Sequence, residues 1–198
     1  MSTHLHPSGH VDGFSRAQLP PIEQWPVMLL DGVYHAPPRL NAAEELLDRA
    51  INEGHGHRVA LVTPTHDGRW EETTYAQLAT QVDALAHVLV NDLELVAGNR
   101  VLLRGFNGRF MTVAWLATVK AGLVAVTTMP MLRATELRVV IERAECCAAL
   151  CDARLLDDLA SAALDAPGLR AVRTWGGENV DRLELAMARY PRDRKSVV

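Results

Sequence analysis

Three short stretches carry residue types able to hold or act on a ligand. Gly105-Phe106-Asn107-Gly108 sets two glycines ahead of an apolar helical pattern, and the free amides at the start of such a helix can hold a phosphate. It is neither G-x-G-x-x-G nor a P-loop ending in Lys-Ser/Thr, and turn geometry is the plainer account of its glycines. TTMPMLRATEL (127 to 137) leads hydroxyls and Pro130 into a helix bearing Arg133 and Arg138. Two arginines near a helix start suit an anionic ligand, and solvated surface charge is the alternative. WGGEN (175 to 179) is glycine-rich and reads as a plain turn.

Other reactive residue types form no recognisable constellation. Cys146, Cys147 and Cys151 lie inside an apolar run, at a spacing that fits neither a zinc site nor a disulfide framework. Buried free thiols, suited to a reducing compartment, are expected. His4, His6, His10, His55 and His57 have no cysteine or carboxylate at a fixed spacing to complete a ligand set, so no metal site is expected. No nucleophile elbow, Ser/His/Asp set or paired carboxylates stand out. No catalytic residue is nominated, and the cofactor-binding residues stay unassigned.

The elements that would position these stretches follow a regular beat. Residues 1–40 are broken by Pro20, Pro21, Pro26, Pro37 and Pro38, so an extended arm is expected, with Trp25, Met28, Leu29, Leu30 and Tyr34 available to lie along a domain. Asn41 caps a helix that puts Leu46, Leu47, Ala50 and Ile51 on one face and stops at Gly54. Residues 57–64 and 68–74 flank Asp67-Gly68 as a β-hairpin. Thr74 and Gln77 form a capping box, followed by Tyr75, Leu78, Val82, Leu85, Ala86 and Leu89 at helical spacing, with Gln81, Asp83, His87 and Asn91 facing out.

RVLLRG (100 to 105) is an apolar run of strand length, and RFMTVAWLATVKAG (109 to 122) is a buried helix closed by Lys120 and Gly122. LVAVTT, TELRVVIERAE, CCAALC, ARLLDDLASAAL, RAVRTW and VDRLELAMARY then continue strand, helix, strand, helix, strand, helix. This order predicts an α/β fold: right-handed βαβ units and a mostly parallel sheet with helices on both faces. In such sheets ligands collect at the carboxyl ends of the strands, where the three stretches fall.

With 198 residues, 48% hydrophobic and 22% charged, the chain has the composition of a folded domain rather than a disordered one. A net charge of −4 gives no electrostatic reason to expect nucleic acid or an anionic membrane as partner. The N-terminus has neither the basic segment nor the apolar core of a signal peptide, and a cytoplasmic location is expected. The residues leave the oligomeric state open, and taken alone they support an α/β domain with a possible link to nucleotides.

Residues 99–152 resemble the N-terminal region of the adenylate-forming enzymes, the acyl-CoA synthetase superfamily. The family's G-D-R-V, asparagine, W-L-A-x-x-K-A-G, P-x-x and E-L correspond to Asn99-Arg100-Val101, Asn107, Trp115-Leu116-Ala117 with Lys120-Ala121-Gly122, Pro130 and Glu136-Leu137. TYAQL (74 to 78) matches T-Y-x-E-L, and the arm (10 to 26) together with residues 39–54 resembles the lead-in of aryl-CoA ligases, nearest those acting on 2-aminobenzoate or benzoate. The resemblance implies the incomplete N-terminal part of the large domain. It also implies ATP, Mg2+ and CoA as substrates or cofactors of the parent enzyme, none of them expected on this fragment, and an aromatic carboxylate as its small-molecule partner. A non-catalytic α/β module that binds a nucleotide or CoA is the alternative.

The family's glycine-rich phosphate loop, Y-T-S-G-T-T-G-x-P-K-G, and its late catalytic lysine are not among these residues. Neither Lys120, in a helix's last turn, nor Lys195, in the tail, takes that lysine's role. The expected organisation is an arm over 1–40, a partial AMP-binding domain over 41–190, and a non-native or disordered tail over 191–198. DRKSVV (193 to 198) is what adapter-like DNA, GAT CGG AAG AGC GTC GTG, would encode, so a truncated gene whose product is inactive alone is expected.

Overall fold

The computed structural model describes residues 7–26, 39–65, 67–178, 180 and 182–190. The expectations for Met28, Leu29, Leu30, Tyr34 and the tail lie outside them. The described part of the arm is not extended throughout. It contains one short helix, α1 (Phe14–Ala17), and a 3-10 turn at Ile22–Gln24. The Val11 and Asp12 amides both donate to the Ala97 carbonyl at 2.9 Å. Gly98, at φ +93°, is required there, because a Cβ would lie 2.2 Å from the Asp12 carbonyl oxygen.

The next helix starts as its cap dictates. The Asn41 side-chain oxygen accepts from the Ala43 amide at 3.0 Å, and its amide group donates to the Lys120 carbonyl at 3.0 Å. A π-turn over Glu44–Asp48 runs into α2 (Arg49–Asn52). Leu47 is buried, but Leu46 is 59% exposed, contrary to the expected face. The wider π-turn changes the angular spacing on which a regular 3.6-residue reading relies.

β1 (Val59–Pro64) and β2 (Trp70–Thr74) pair antiparallel, and Gly68 supplies the positive φ of their turn. Thr74 and Gln77 then form the expected capping box of α3 (Tyr75–His87). Its expected wet flank is partly covered. Asp83 reaches Lys120 at 2.5 Å, and the His87 ring stacks on Tyr190 with centroids 5.3 Å apart, because the helix that ends at Lys120 and the last turn of the described chain pack there.

The remaining elements are β3 (Arg100–Arg104), α4 (Arg109–Lys120), β4 (Val124–Thr128), α5 (Ala134–Arg143), β5 (Cys146–Asp152), α6 (Leu156–Leu164), β6 (Ala171–Trp175) and α7 (Leu183–Met187). Four strands form one parallel sheet in the order β4-β3-β5-β6. Val101, Leu103, Ala148 and Leu150 face α3 and α4, whereas Leu102, Ala149 and Cys151 face α5 and α6. Burial on both faces is why these strands read as continuous apolar runs rather than alternating ones.

The run RVLLR is apolar only in its middle. Arg100 and Arg104, at its two ends, are 5% and 1% exposed. At the amino end, Arg100 donates to the carbonyls of Ala144 (2.9 Å) and Glu145 (2.9 Å) and pairs with the Asp12 carboxylate. The Phe14 ring lies 4.5 Å from its guanidinium carbon. Asp12 also accepts from Asn99 (2.9 Å) and from the Phe14 amide (3.0 Å), so the arm is fastened at the sheet's amino edge.

Candidate functional site

The chain reverses its direction of travel across the sheet between β3 and β5. From β3 it crosses by α4 to β4 on one side, and then by α5 to β5 on the other. The two neighbouring strands therefore send their outgoing loops apart and leave a crevice at their carboxyl ends. Residues 105–108 line one side, and Asp152 with the 3-10 turn Ala153–Leu155 lines the other.

Arg154 organises this crevice. Its Nε and Nη2 donate to the Asp152 carboxylate at 2.9 and 2.7 Å, and its amide donates to the same group at 3.0 Å. This paired hydrogen bonding holds the guanidinium protonated more firmly than usual. The guanidinium carbon lies 4.7 Å from the centroid of the half-exposed Phe106 ring. Behind them Trp175 stacks on Phe110 with centroids 5.1 Å apart. Pro64, Thr65, Phe106, Asn107, Asp152 and Trp175 contribute to the lining of a shallow cavity of about 290 Å³.

Gly105 has a different reason from the one expected. A Cβ there would lie 2.5 Å from Trp175 Cζ2, so the residue is glycine because the indole needs its space. Gly108 precedes α4 in fully extended backbone, with φ 173°. The GFNG stretch is thus at the predicted place, held by packing rather than by a tight turn.

Trp175 of WGGEN lines the shallow cavity, and Met131 and Arg133 line a neighbouring one with Arg154, but the arginines of the second stretch are already engaged. Arg133 donates to the half-buried Asp158 at 3.2 Å, and Arg138 lies 3.6 Å from the exposed Asp165, so each is paired with a carboxylate. In WGGEN the Gly176 amide donates to Glu184 at 2.8 Å, and the Gly177 carbonyl accepts from Arg182 at 3.0 Å. That stretch closes onto α7 as a turn, with Asn179 outside the described residues. Lys120 lies 2.8 Å from Asp48 and 2.5 Å from Asp83. Burial opposes its charge, but the two carboxylates outweigh that and raise its affinity for the proton. Lys195, His4 and His6 lie outside the described residues, and among those described no three His, Cys, Asp or Glu side chains converge as metal ligands.

All three cysteines are free and buried. Burial pushes the Cys146 thiol up to about 12, with Cys147 adding to it and Arg100 opposing. Burial likewise pushes Cys151 up to about 12, against the pull of Arg104. Neither is an activated nucleophile.

Sequence reading missed Arg104. At the carboxyl end of β3 its Nε donates to the Leu155 carbonyl (3.2 Å), Nη1 to Met129 (3.2 Å), and Nη2 to Pro130 (3.1 Å) and Leu132 (2.9 Å). A basic residue at each end of a leucine-rich strand was the available signal, as was Asp-x-Arg starting on the last residue of β5 for the Asp152–Arg154 pair. A wider cavity of about 710 Å³ opens beside Arg104, lined also by Met131, Arg133, Arg154, Asp158 and Ser161. A separate hollow of about 500 Å³ against α2, lined by Leu40, Leu46 and Tyr75, is away from the carboxyl edge. The crevice therefore offers an aromatic platform, a paired guanidinium and open volume. These are means of binding, and no described side chain is arranged there as nucleophile and base.

The sequence profile of the AMP-binding enzyme family matches residues 47–190. Acetyl-coenzyme A synthetase of Mycolicibacterium smegmatis is 36% identical over 110 residues, which are 54% of this chain and 11% of that protein. The crystal structure of the anthranilate CoA ligase AuaEII with anthranoyl-AMP superposes with a TM-score of 0.69 at 20% identity, covering 79% of this chain and 28% of that one. A benzoate CoA ligase from Burkholderia xenovorans gives 0.65 at 18% identity, covering 80% and 30%. At those identities the two structures speak to the fold. The chain spans well under half the length of each of these proteins.

Proposed function

This chain belongs to the AMP-binding enzyme family, and from that premise we propose that it is the N-terminal part of an ATP-dependent acid–thiol ligase acting on an aromatic carboxylate, 2-aminobenzoate or benzoate. The observation that carries the reading is the family match over residues 47–190, an interval that runs from the first capped helix through the whole parallel sheet. The aromatic acid rests on the resemblance of residues 10–26 and 39–54 to the lead-in of aryl-CoA ligases; the anthranilate and benzoate CoA ligases share the fold. The sequence relative, an acetyl-coenzyme A synthetase, makes acetate the competing substrate to test.

In the proposed reaction a carboxylate oxygen attacks the α-phosphorus of ATP and pyrophosphate leaves. The CoA sulfur then attacks the acyl carbonyl, and AMP departs with the bonding pair. Adenylation helps because AMP is a far better leaving group than hydroxide. The charge that builds on the departing phosphates requires preorganised donors. The 198 residues contain no glycine-rich phosphate loop, so the proposed contribution of this part is scaffold and crevice, and the chain alone is proposed to be inactive. ATP, with its magnesium, and CoA enter as substrates of the larger enzyme.

ATP–pyrophosphate exchange with 2-aminobenzoate, benzoate and acetate tests the reading. A protein in which these residues continue into the phosphate loop is expected to exchange with an aromatic acid in preference to acetate, and the purified 198-residue chain to give no exchange. Preference for acetate would overturn the aromatic assignment. Turnover by the isolated chain would overturn its proposed inactivity.

A further inference from the structure

We infer that Arg104 is a positioning residue that sets the spacing of the two loops bounding the carboxyl-edge cleft. This rests on the ligase reading only for its kinetic test. A guanidinium that is 1% exposed is costly to bury, and its compensation here is unusual. It comes from four main-chain carbonyls, with the nearest carboxylate, Asp158, 4.0 Å away. Three of those carbonyls belong to Met129, Pro130 and Leu132, in the loop after β4. The fourth belongs to Leu155, in the turn after β5. β3 lies between β4 and β5, so one side chain on the central strand ties together loops from its two neighbours.

The consequence is visible in the loop's side chains. With its carbonyls turned toward Arg104, the loop presents Met129 and Met131 outward, 61% and 78% exposed. Asp158 receives both Arg133 at 3.2 Å and the Ala134 amide at 3.3 Å, and so fixes the next residues against α6. On the other side, Leu155 adjoins Arg154, whose place over Phe106 follows from where the turn is held. An uncharged residue has no donors for these carbonyls. A lysine has three donors radiating from one nitrogen, against the planar fork that spans both loops here.

The test compares Arg104→Met and Arg104→Lys with the unaltered protein. Hydrogen exchange of the 198-residue chain, which does not depend on the ligase reading, is expected to show protection of residues 129–134 and 153–156 falling about tenfold or more in Arg104→Met. β3 and β5 should change by less than about threefold, and Arg104→Lys should fall between. In the ligase that contains the chain, Arg104→Met is expected to raise KM for ATP, the aromatic acid or CoA by about tenfold while kcat stays within about threefold, with partial rescue by lysine. Uniform loss of protection, unchanged loops, a fall in kcat with every KM unchanged, or failure of both variants to fold would each overturn the positioning role. Absence of ligase activity in the unaltered protein would instead count against the proposed function, leaving the exchange result to decide on Arg104.

Discussion

At the scale of single residues, chemistry and packing are separable by burial. Cys146, Cys147 and Cys151 could have been read as reactive, but they fill the core between sheet and helices. Two of them have thiols pushed from an ordinary value of 9.0 up to about 12. A raised thiol value means that the folded state holds its proton more tightly than the unfolded one. The stability this contributes is therefore complete below about pH 9 and is lost as pH rises from there toward 12. Because all three cysteines are buried, native protein at pH 8 is expected to resist alkylation by iodoacetamide at each, as read by mass spectrometry, and to label fully in denaturant. Rapid labelling of Cys146 or Cys151 in the native state would contradict their burial. Gly105 teaches a related lesson, since a residue expected to be glycine for turn geometry is glycine to make room for Trp175.

At the scale of elements, the helices on the α3 side are joined by one cation. Lys120 at the end of α4 reaches Asp48 in the π-turn and Asp83 in α3, with its side chain 11% exposed and the carboxylates 26% and 28% exposed. Replacing it with methionine leaves two half-buried carboxylates facing each other. Lys120→Met is expected to cost about 2 kcal/mol, below the penalty of a fully buried broken pair because water still reaches both acids. Urea titration should show a lowered midpoint at unchanged slope, and adding Asp48→Asn with Asp83→Asn should recover part of the loss. An unchanged midpoint would mean that the three charges are independently solvated. The helix caps at Asn41 and Thr74 were readable because a cap is local chemistry. The Lys120 cluster was not, since its partners are 72 and 37 positions away in sequence.

At the scale of the whole molecule, the arm and the sheet are joined at the amino edge, opposite the crevice. Asp12 is the fastener. The Phe14 amide lowers its affinity for the proton, burial works the other way, and Arg100 and Asn99 add to the lowering. A depressed carboxyl value contributes stability that is present above the ordinary value of 3.8 and lost as pH falls through the lower folded value. Limited proteolysis within residues 13–26 is therefore expected to accelerate below about pH 4, and Asp12→Ala to show the same exposure at pH 7. Cleavage of both forms at equal rates would show that the Val11 and Asp12 amide bonds to Ala97 suffice to hold the arm.

What the sequence determined by itself was the order and type of the elements, the parallel sheet covered on both faces, the capping residues and the place of the GFNG loop. Each of these is written in spacing between near neighbours: period, cap and turn chemistry act over a few residues. Tertiary structure alone decided that the helix holding Leu46 contains a π-turn, that Arg133 and Arg138 are paired with carboxylates, and that the two arginines of RVLLR are buried at opposite edges. It also decided that Arg104 grips two loops and Asp152 grips Arg154. The physical reason is that a charge is placed by the carbonyls and carboxylates that will compensate its burial. Those for Arg104 are brought together only when β4 and β5 settle on either side of β3.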